Sequence, residues 1–80
     1  MNIYSIFDDK GKFFSTPFYS RNDDVATRDF SNVVMNEQNP MSRSKGDYSL
    51  YLLGTFDGDS LEYIIVADDK PVLVIAGSDL

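Results

Sequence analysis

One stretch of this sequence has the periodicity of an amphipathic helix, and it lies between segments typical of β-strands. Asn22 precedes two carboxylates, and four apolar side chains then follow at positions i, i+4, i+7 and i+8. These apolar residues are Ala26, Phe30, Val33 and Val34. Asn is a favoured N-cap, and carboxylates in the first turn are stabilised by the helix dipole. The pattern predicts one helix over about 23–36, ended by the Asn39–Pro40 step.

The other apolar residues fall into five short runs that are rich in β-branched and aromatic residues. The predicted strands cover residues 3–7, 13–19, 48–53, 61–66 and 71–76. Pro17 has no N–H for a strand ladder, so the second strand is expected to bend or to lie at an edge. Polar residues predict a loop over 41–47 and turns at 57–60 and 67–70. The order is ββαβββ, and we predict an α+β fold, a small antiparallel sheet packed with a single helix, with residues 1–80 as a single domain.

The last two predicted strands are apolar on both faces. Ile64–Val66 and Val72–Ile75 lack the alternation that is expected where one face of an antiparallel sheet meets water. A single helix covers only one face, so the second face needs another cover. Two sources remain open: a second copy of the chain, or the first hairpin folded over that face. We expect a homodimer or a higher homo-oligomer.

The sequence contains no Cys and no His. It therefore has no disulfide framework, no thiolate ligand for zinc, and no imidazole to act as a general base near neutral pH. The run Asp57–Glu62 resembles the start of a calcium-binding loop, but it lacks an oxygen ligand at the fifth position, and Asp68 stands where a bidentate Glu is needed. We expect no catalytic activity, no cofactor and no bound metal.

The N-terminus has neither the basic region nor the long apolar region of a signal peptide. The longest nearly uninterrupted apolar run, Pro71–Ala76, is far shorter than the ~20 residues of a membrane-spanning helix. We therefore expect the protein to stay in the cytoplasm in which it is made.

Charge is unevenly distributed along this chain, whose formal net charge is −6. Residues 1–45 hold six cations and six carboxylates, whereas residues 46–80 hold Lys70 alone against seven carboxylates. Most of the aromatic residues also lie in the first 45 positions. Proteins that bind single strands combine cations along the phosphate backbone with rings on which bases stack, at ~1–3 kcal/mol per base. The N-terminal part therefore supplies both components of such a site.

The candidate nucleic-acid-binding residues are five cations for phosphates and two rings for stacking: Lys10, Lys12, Arg21, Arg43, Lys45, Phe14 and Tyr19. Because the chain as a whole is negative, we expect any single-stranded DNA to be bound locally, weakly and with a strong dependence on salt. A structural interpretation of these residues also remains open. A domain this small needs aromatic rings in its core, and Lys at a turn is ordinary on a soluble surface.

The acidic C-terminal part favours a different function. Four of its seven carboxylates lie at the predicted turns and are able to attract a basic partner: Asp57, Asp59, Asp68 and Asp69. In this alternative the chain is a protein-interaction module that engages a capsid protein or a host replication protein.

Five segments, taken in order and spacing, are similar to a known family. They are MNIYSIFD at 1–8, PFYSRN at 17–22, ATRDF at 26–30, DYSL at 47–50 and LGTFD at 53–57. Together they resemble a small non-structural protein family of the gokushovirus-type Microviridae, which are icosahedral single-stranded-DNA bacteriophages. The resemblance covers residues 1 to about 58, and residues 59–80 match less well.

The resemblance implies a DNA-binding viral protein that acts in genome replication or packaging in the host cytoplasm and is absent from the finished capsid. Arg21, Asn22 and Arg28 fall on the pattern of the family. Asn22 and Arg28 also have structural explanations, as a helix cap and as a surface ion pair with Asp24, which lies four residues before Arg28 on the helix. Arg21 has no evident structural duty in the sequence.

Overall fold

The predicted helix is present, and the residue expected to cap it does so. In the computed structural model, which describes residues 1–59 and 65–80, helix α1 spans Asp23–Val34. The side-chain oxygen of Asn22 accepts a hydrogen bond from the backbone N–H of Val25 at 2.9 Å. This bond satisfies one of the N–H groups that have no partner within the helix.

The helix ends two residues earlier than predicted. The backbone N–H of Met35 donates the last helical bond to Ser31, and the chain then turns. Asn36 starts this turn because its side-chain oxygen accepts a hydrogen bond from the backbone N–H of Gln38 at 3.0 Å.

Three of the four apolar residues of the helical pattern are buried, but Val33 is 36% exposed. The expected ion pair between Asp24 and Arg28 is wrong, because among the described residues the ion pair within 4 Å joins Lys10 and Asp47.

Five strands are described: β1 (Asn2–Asp8), β2 (Phe13–Phe14), β3 (Phe18–Ser20), β4 (Tyr48–Phe56) and β5 (Ile65–Ala76). They form one antiparallel sheet in the order β2–β1–β4–β5, and β3 pairs with the same edge of β1 as β2 does. The predicted α+β class, with a small antiparallel sheet packed with one main helix, is confirmed.

The predicted strand 13–19 is divided into β2 and β3, with Pro17 in the irregular segment between them. Both parts pair with β1 at one edge of the described sheet, so the expectation that a strand with Pro17 lies at an edge is confirmed. The predicted loop 41–47 is not irregular throughout, because two short 3₁₀ turns cover Pro40–Asp47 and meet at Ser44, whose backbone leaves the helical region. A further 3₁₀ turn covers Gly77–Asp79.

The largest difference from the predicted fold lies in β5. The sequence predicts two strands joined by a turn at 67–70, whereas one strand, β5, runs along β4 through this region. Leu52 pairs with Val72 and Gly54 with Ala67, so four residues of β5, 68–71, stand against one residue of β4. The predicted turn residues therefore form a bulge that leaves the ladder without reversing the chain. Residues 61–64 of the predicted strand 61–66 lie outside the described residues, and so does Ser60 of the predicted turn before it.

The helix covers one side of the sheet. The buried core between α1 and the sheet consists of Tyr4, Ala26, Phe30, Val34 and Leu50. We call the other side the open face, and β1 presents Ile3, Ser5 and Phe7 on it, since alternate residues of a strand point to opposite sides. No described element packs over this face.

The first hairpin does not cover the open face. β2 and β3 pair with β1 in the plane of the sheet, so the alternative in which this hairpin folds over the second face is wrong. Cover by a second copy of the chain stays a prediction.

Candidate nucleic-acid interface on the open sheet face

Three aromatic rings meet on the open face, and we call them the aromatic trio: Phe7, Phe14 and Tyr51. The ring centroids are 4.8 Å apart for Phe7 and Phe14, 5.6 Å for Phe14 and Tyr51, and 6.0 Å for Phe7 and Tyr51. Both contacts of Tyr51 are edge-to-face, the geometry in which the positive edge of one ring meets the negative face of another. Such pairs hold the rings in place while part of their surface stays in water.

The register of the sheet brings the aromatic trio together. Phe7 and Phe14 stand directly opposite each other on β1 and β2, and Tyr51 stands opposite Ser5, two residues before Phe7 on β1. Directly opposite side chains lie about 5 Å apart and diagonal ones about 7–8 Å apart, within reach of aromatic rings. The trio therefore spans three neighbouring strands.

Two serines support the rings from below. Ser5 is fully buried and Ser49 nearly so, although both lie on the open face. The Ser5 hydroxyl donates a hydrogen bond to the Ser15 carbonyl at 2.7 Å, so its burial leaves no polar atom unsatisfied. The small side chains let the neighbouring rings lie over the strands and shield them from water.

Lys70 and Pro71 lie beside the aromatic trio. Together with Phe7, Phe14 and Tyr51 they line a shallow depression of about 350 Å³. Both residues belong to the four-residue bulge of β5, and this bulge carries the cation towards the rings. Aromatic surface and a positive charge thus occur together at this point of the open face.

The sequence prediction includes Phe14 but not the other four residues of this group: Phe7, Tyr51, Lys70 and Pro71. The sequence places Lys70 after two carboxylates in a predicted turn, and only the bulged register of β5 brings it beside the rings. The sequence does contain a signal for Tyr51. Leu50 and Leu52 lie on either side of it in the strand, and both point towards the helix side of the sheet. That alternation assigns Tyr51 to the opposite face of the sheet.

A second aromatic pair lies farther along the open face. Tyr19 and Phe56 contact each other edge-to-face with ring centroids 5.7 Å apart, and with Met1 they line a depression of about 330 Å³. Tyr19 stands opposite Ile3 on β1. Ile3 and Phe7 are four residues apart on one strand, so the pair lies about 13 Å from the aromatic trio along β1.

The two predicted stacking residues, Phe14 and Tyr19, are both on the open face. Phe14 is 39% exposed and Tyr19 is also exposed. Each takes part in one of the two aromatic groups, so neither belongs to the buried core beneath the helix. Their rings remain available to a ligand on this side of the sheet.

The predicted cations are distributed over several places. Lys10 and Lys12 lie in the turn between β1 and β2, where the Lys10 ammonium is 3.9 Å from the Asp47 carboxylate. Lys12 is exposed and has a positive φ of 61°. Arg21 is exposed directly after β3, between Tyr19 and the helix.

Arg43 and Lys45 lie on the segment Pro40–Asp47, which packs on the helix side of the sheet through Met41. The Lys45 ammonium donates a hydrogen bond to the Leu80 carbonyl at 2.8 Å, and this side chain is only partly exposed. These two cations are therefore not brought together with Phe14 and Tyr19 in this arrangement.

Four carboxylates of the acidic C-terminal part are exposed and lie after β4 or within β5. Asp57 and Asp59 follow β4, where the Asp57 carboxylate accepts a hydrogen bond from the backbone N–H of Asp59 at 3.0 Å. Asp68 and Asp69 precede Lys70 in the bulge of β5. The cation beside the aromatic trio thus has carboxylates as its chain neighbours.

Comparison with known proteins gives one match. The family model described as Phage ORF5 protein matches residues 1–80. No curated protein and no solved structure matches the chain significantly. None of the helices in the described part of the chain is long and apolar enough to cross a membrane.

Proposed function

We propose that this chain, which belongs to the Phage ORF5 protein family, binds single-stranded DNA through its open sheet face. It acts as a non-structural protein of a gokushovirus-type member of the Microviridae, in the host cytoplasm, during genome replication or packaging. The resemblance of residues 1–58 supports the viral type and the DNA-binding role. The observation that carries the proposal is the set of solvent-accessible aromatic rings on the open face.

Exposed rings on a sheet suit a single strand because its unpaired bases have free faces. Stacking of a base on an aromatic side chain contributes ~1–3 kcal/mol and tolerates any sequence. The same principle operates in RNA-binding sheets whose aromatics stack two or three bases. The aromatic trio and the Tyr19–Phe56 pair lie about 13 Å apart along β1, so the open face has two places at which a base can stack.

Charge sets the strength of this binding. The chain has a net charge of −6, and one cation, Lys70, lines the depression beside the trio. Each neutralised phosphate of a single strand contributes a slope of about −0.7 to log K against log salt. We therefore propose weak binding that is favoured at low ionic strength, with self-association of the chain raising the affinity through multivalency.

A titration tests the proposal directly. A fluorescently labelled oligo(dT) of 20 nucleotides is titrated with the protein at 20 mM salt, and the anisotropy is followed. Binding at micromolar protein, weaker for a duplex of the same length, supports the proposal. No change in anisotropy up to tens of micromolar protein contradicts it.

One feature of the β4–β5 hairpin favours the second function, a protein-interaction module. Ile65, Val66 and Val72 are exposed apolar residues of β5, and neighbouring residues of a strand point to opposite faces of the sheet. A hairpin that is apolar on two faces and carries exposed carboxylates suits a partner with an apolar and basic surface, such as a capsid protein or a host replication protein.

Charge reversal tests this alternative. The variant with Lys at Asp57, Asp59, Asp68 and Asp69 is compared with the wild type in a pull-down of the purified phage capsid protein. Loss of capture with an unchanged circular dichroism spectrum supports the module. Equal capture by both proteins removes it.

A further inference from the structure

We infer that the aromatic trio, Lys70 and Pro71 form a nucleotide subsite in which one base stacks on Phe14 or Tyr51 and the Lys70 ammonium contacts an adjoining phosphate. This inference deepens the proposed function and rests on it. It names the residues that contact the base and the phosphate, whereas the proposed function names only a face of the sheet.

The register of β5 places Lys70 and Pro71 beside the aromatic trio. Between Ala67 and Val72 the strand has four residues against the single residue Leu53 of β4. A regular ladder has no room for these four residues, so they leave the plane of the sheet, and Lys70 and Pro71 line the depression beside the trio. The bulge thus places a cation next to rings that belong to β1, β2 and β4, as bulges near binding sites commonly redirect a side chain.

The rings of the aromatic trio are partly exposed and are held in place by contacts with one another. Phe14 is exposed over more than a third of its surface, whereas an aromatic residue needed for the core of the domain, Phe30, is buried. The contacts within the trio fix the orientation of the rings before a ligand arrives, which lowers the entropy lost on binding. A surface of this kind, with a volume of about 350 Å³ beside it, offers room for a planar base.

Lys70 supplies a positive charge beside the rings, and it is the only Lys or Arg in residues 46–80. Among the described residues the one ion pair within 4 Å joins Lys10 and Asp47, so no described carboxylate pairs with Lys70. An ammonium beside aromatic faces complements a nucleotide, which combines a negative phosphate with a planar apolar base.

Neighbouring positions on the chain provide matched controls. Phe13 and Phe14 are adjacent and both exposed, but alternation places Phe13 on the helix side of the sheet. Arg28 is an exposed cation of helix α1, on the helix side. The test therefore compares Phe14→Leu with Phe13→Leu, and Lys70→Gln with Arg28→Gln.

The measurement is the affinity of oligo(dT) by fluorescence anisotropy at several salt concentrations. Phe14→Leu or Tyr51→Leu weakens binding about 5- to 140-fold, from the loss of one stacked base, whereas Tyr51→Phe keeps the affinity because it keeps the ring. Lys70→Gln reduces the slope of log K against log salt by about 0.7, the loss of one phosphate contact. Phe13→Leu and Arg28→Gln bind as the wild type does.

The outcomes separate the subsite from the proposed function. If the wild type binds and the Phe14, Tyr51 and Lys70 variants bind equally well, while Tyr19→Leu weakens binding, the subsite is wrong and DNA binding by the open face stands. If the wild type binds no oligonucleotide at low salt, both are wrong. Equal affinity for duplex and single strand overturns the stacking step, and thermal unfolding of each variant establishes that the fold is retained.

Discussion

The phenol oxygen of Tyr4 donates a hydrogen bond to the Asp23 carboxylate at 2.6 Å, and this bond joins the first strand to the first turn of the helix. Tyr4 is fully buried in the core between the sheet and α1. The same oxygen accepts a hydrogen bond from the side-chain amide of Asn2 at 3.0 Å. A large side chain thus fills the core while its polar end reaches the carboxylate at its edge.

Tyr4→Phe removes this hydrogen bond and keeps the ring. A hydrogen bond to a charged group contributes about 1.5–3 kcal/mol, so we expect the free energy of unfolding to fall by about 1–2 kcal/mol, since Asp23 is exposed and water replaces the phenol. Urea denaturation at pH 7 measures the change. An unfolding free energy equal to that of the wild type would show that the contact contributes nothing in solution.

The alkaline pH dependence of stability is a second consequence of the environment of Tyr4. Burial raises the pKa of Tyr4 above its ordinary value of 10.0, and the hydrogen bond to Asp23 raises it further. The unfolded chain then loses this proton at lower pH than the folded chain does. The stability that the protonated Tyr4 contributes to the folded state is complete below pH 10 and is lost as the pH rises through the folded-state pKa of Tyr4.

Unfolding free energies between pH 8 and pH 11 test this sign. Tyr4→Phe has no proton to lose at this position, so its stability declines less steeply above pH 10 than that of the wild type. Parallel curves for the two proteins would contradict the raised pKa of Tyr4.

Lys12→Gly should stabilise the chain relative to Lys12→Ala. Lys12 has a φ of 61° in the turn between β1 and β2, a region that costs residues with a Cβ about 1–2 kcal/mol. Both variants remove the same charge, so the comparison isolates the backbone. We expect Gly to be more stable than Ala by about 0.5–1.5 kcal/mol in urea denaturation, after its greater freedom in the unfolded chain is included. Equal stability of the two variants would contradict the claim that the positive φ at Lys12 strains a residue with a Cβ.

The elements that sequence reasoning found depend on local signals. Asn22 predicts the start of the helix because capping needs only the residue and the N–H groups just after it. Pro17 predicts the edge position of the second strand because the missing N–H is a property of that residue alone. The class of fold follows from the same kind of information.

The missed features depend on pairing between distant segments. The bulge at 68–71 forms because both flanks of this segment pair with β4. The sequence alone predicts a turn at 67–70, because these residues are mostly polar and Pro71 follows them. The aromatic trio requires the register of β1 against both β2 and β4. Phe14 and Tyr19 could be named as stacking candidates from the sequence, but the partners that surround them could not.

Gly77→Ala should destabilise the chain strongly, whereas Gly46→Ala should not. A Cβ at Gly77 would overlap the backbone carbonyl of Lys45 and lie 2.7 Å from that of Tyr48. A Cβ at Gly46 would meet only Ser78, at 3.8 Å, which is ordinary contact. Overpacking of this kind costs about 1–3 kcal/mol, and we expect the upper part of this range because two backbone segments must move apart.

The midpoint of thermal unfolding of the two variants checks this expectation. The contact at Gly77 holds the C-terminal 3₁₀ turn against the segment Pro40–Asp47, together with the hydrogen bond between Lys45 and Leu80. A Gly77→Ala midpoint within error of that of Gly46→Ala would show that these two segments are not packed together in solution.

The exposed apolar residues of β5 predict self-association of the chain. β5 pairs only with β4 among the described strands, and its other edge has unpaired backbone groups flanked by the exposed side chains of Val66 and Val72. A long apolar edge strand is a template for pairing with another chain. Pairing of two β5 strands around a two-fold axis continues the sheet across both copies and leaves the aromatic trio available to DNA.

Sedimentation velocity at 10–200 µM protein, concentrations at which a dimer of modest affinity would form, measures this directly. We expect a species of twice the chain mass, and we expect Val66→Glu to shift it to the monomer, because the dimer would bury a charge without a partner. Val33→Glu introduces the same charge at an exposed position of the helix and should leave the dimer intact. A monomeric wild type at the highest concentration would rule out pairing of β5 with a second copy of the chain, and the exposed apolar residues of β5 would then require a different partner.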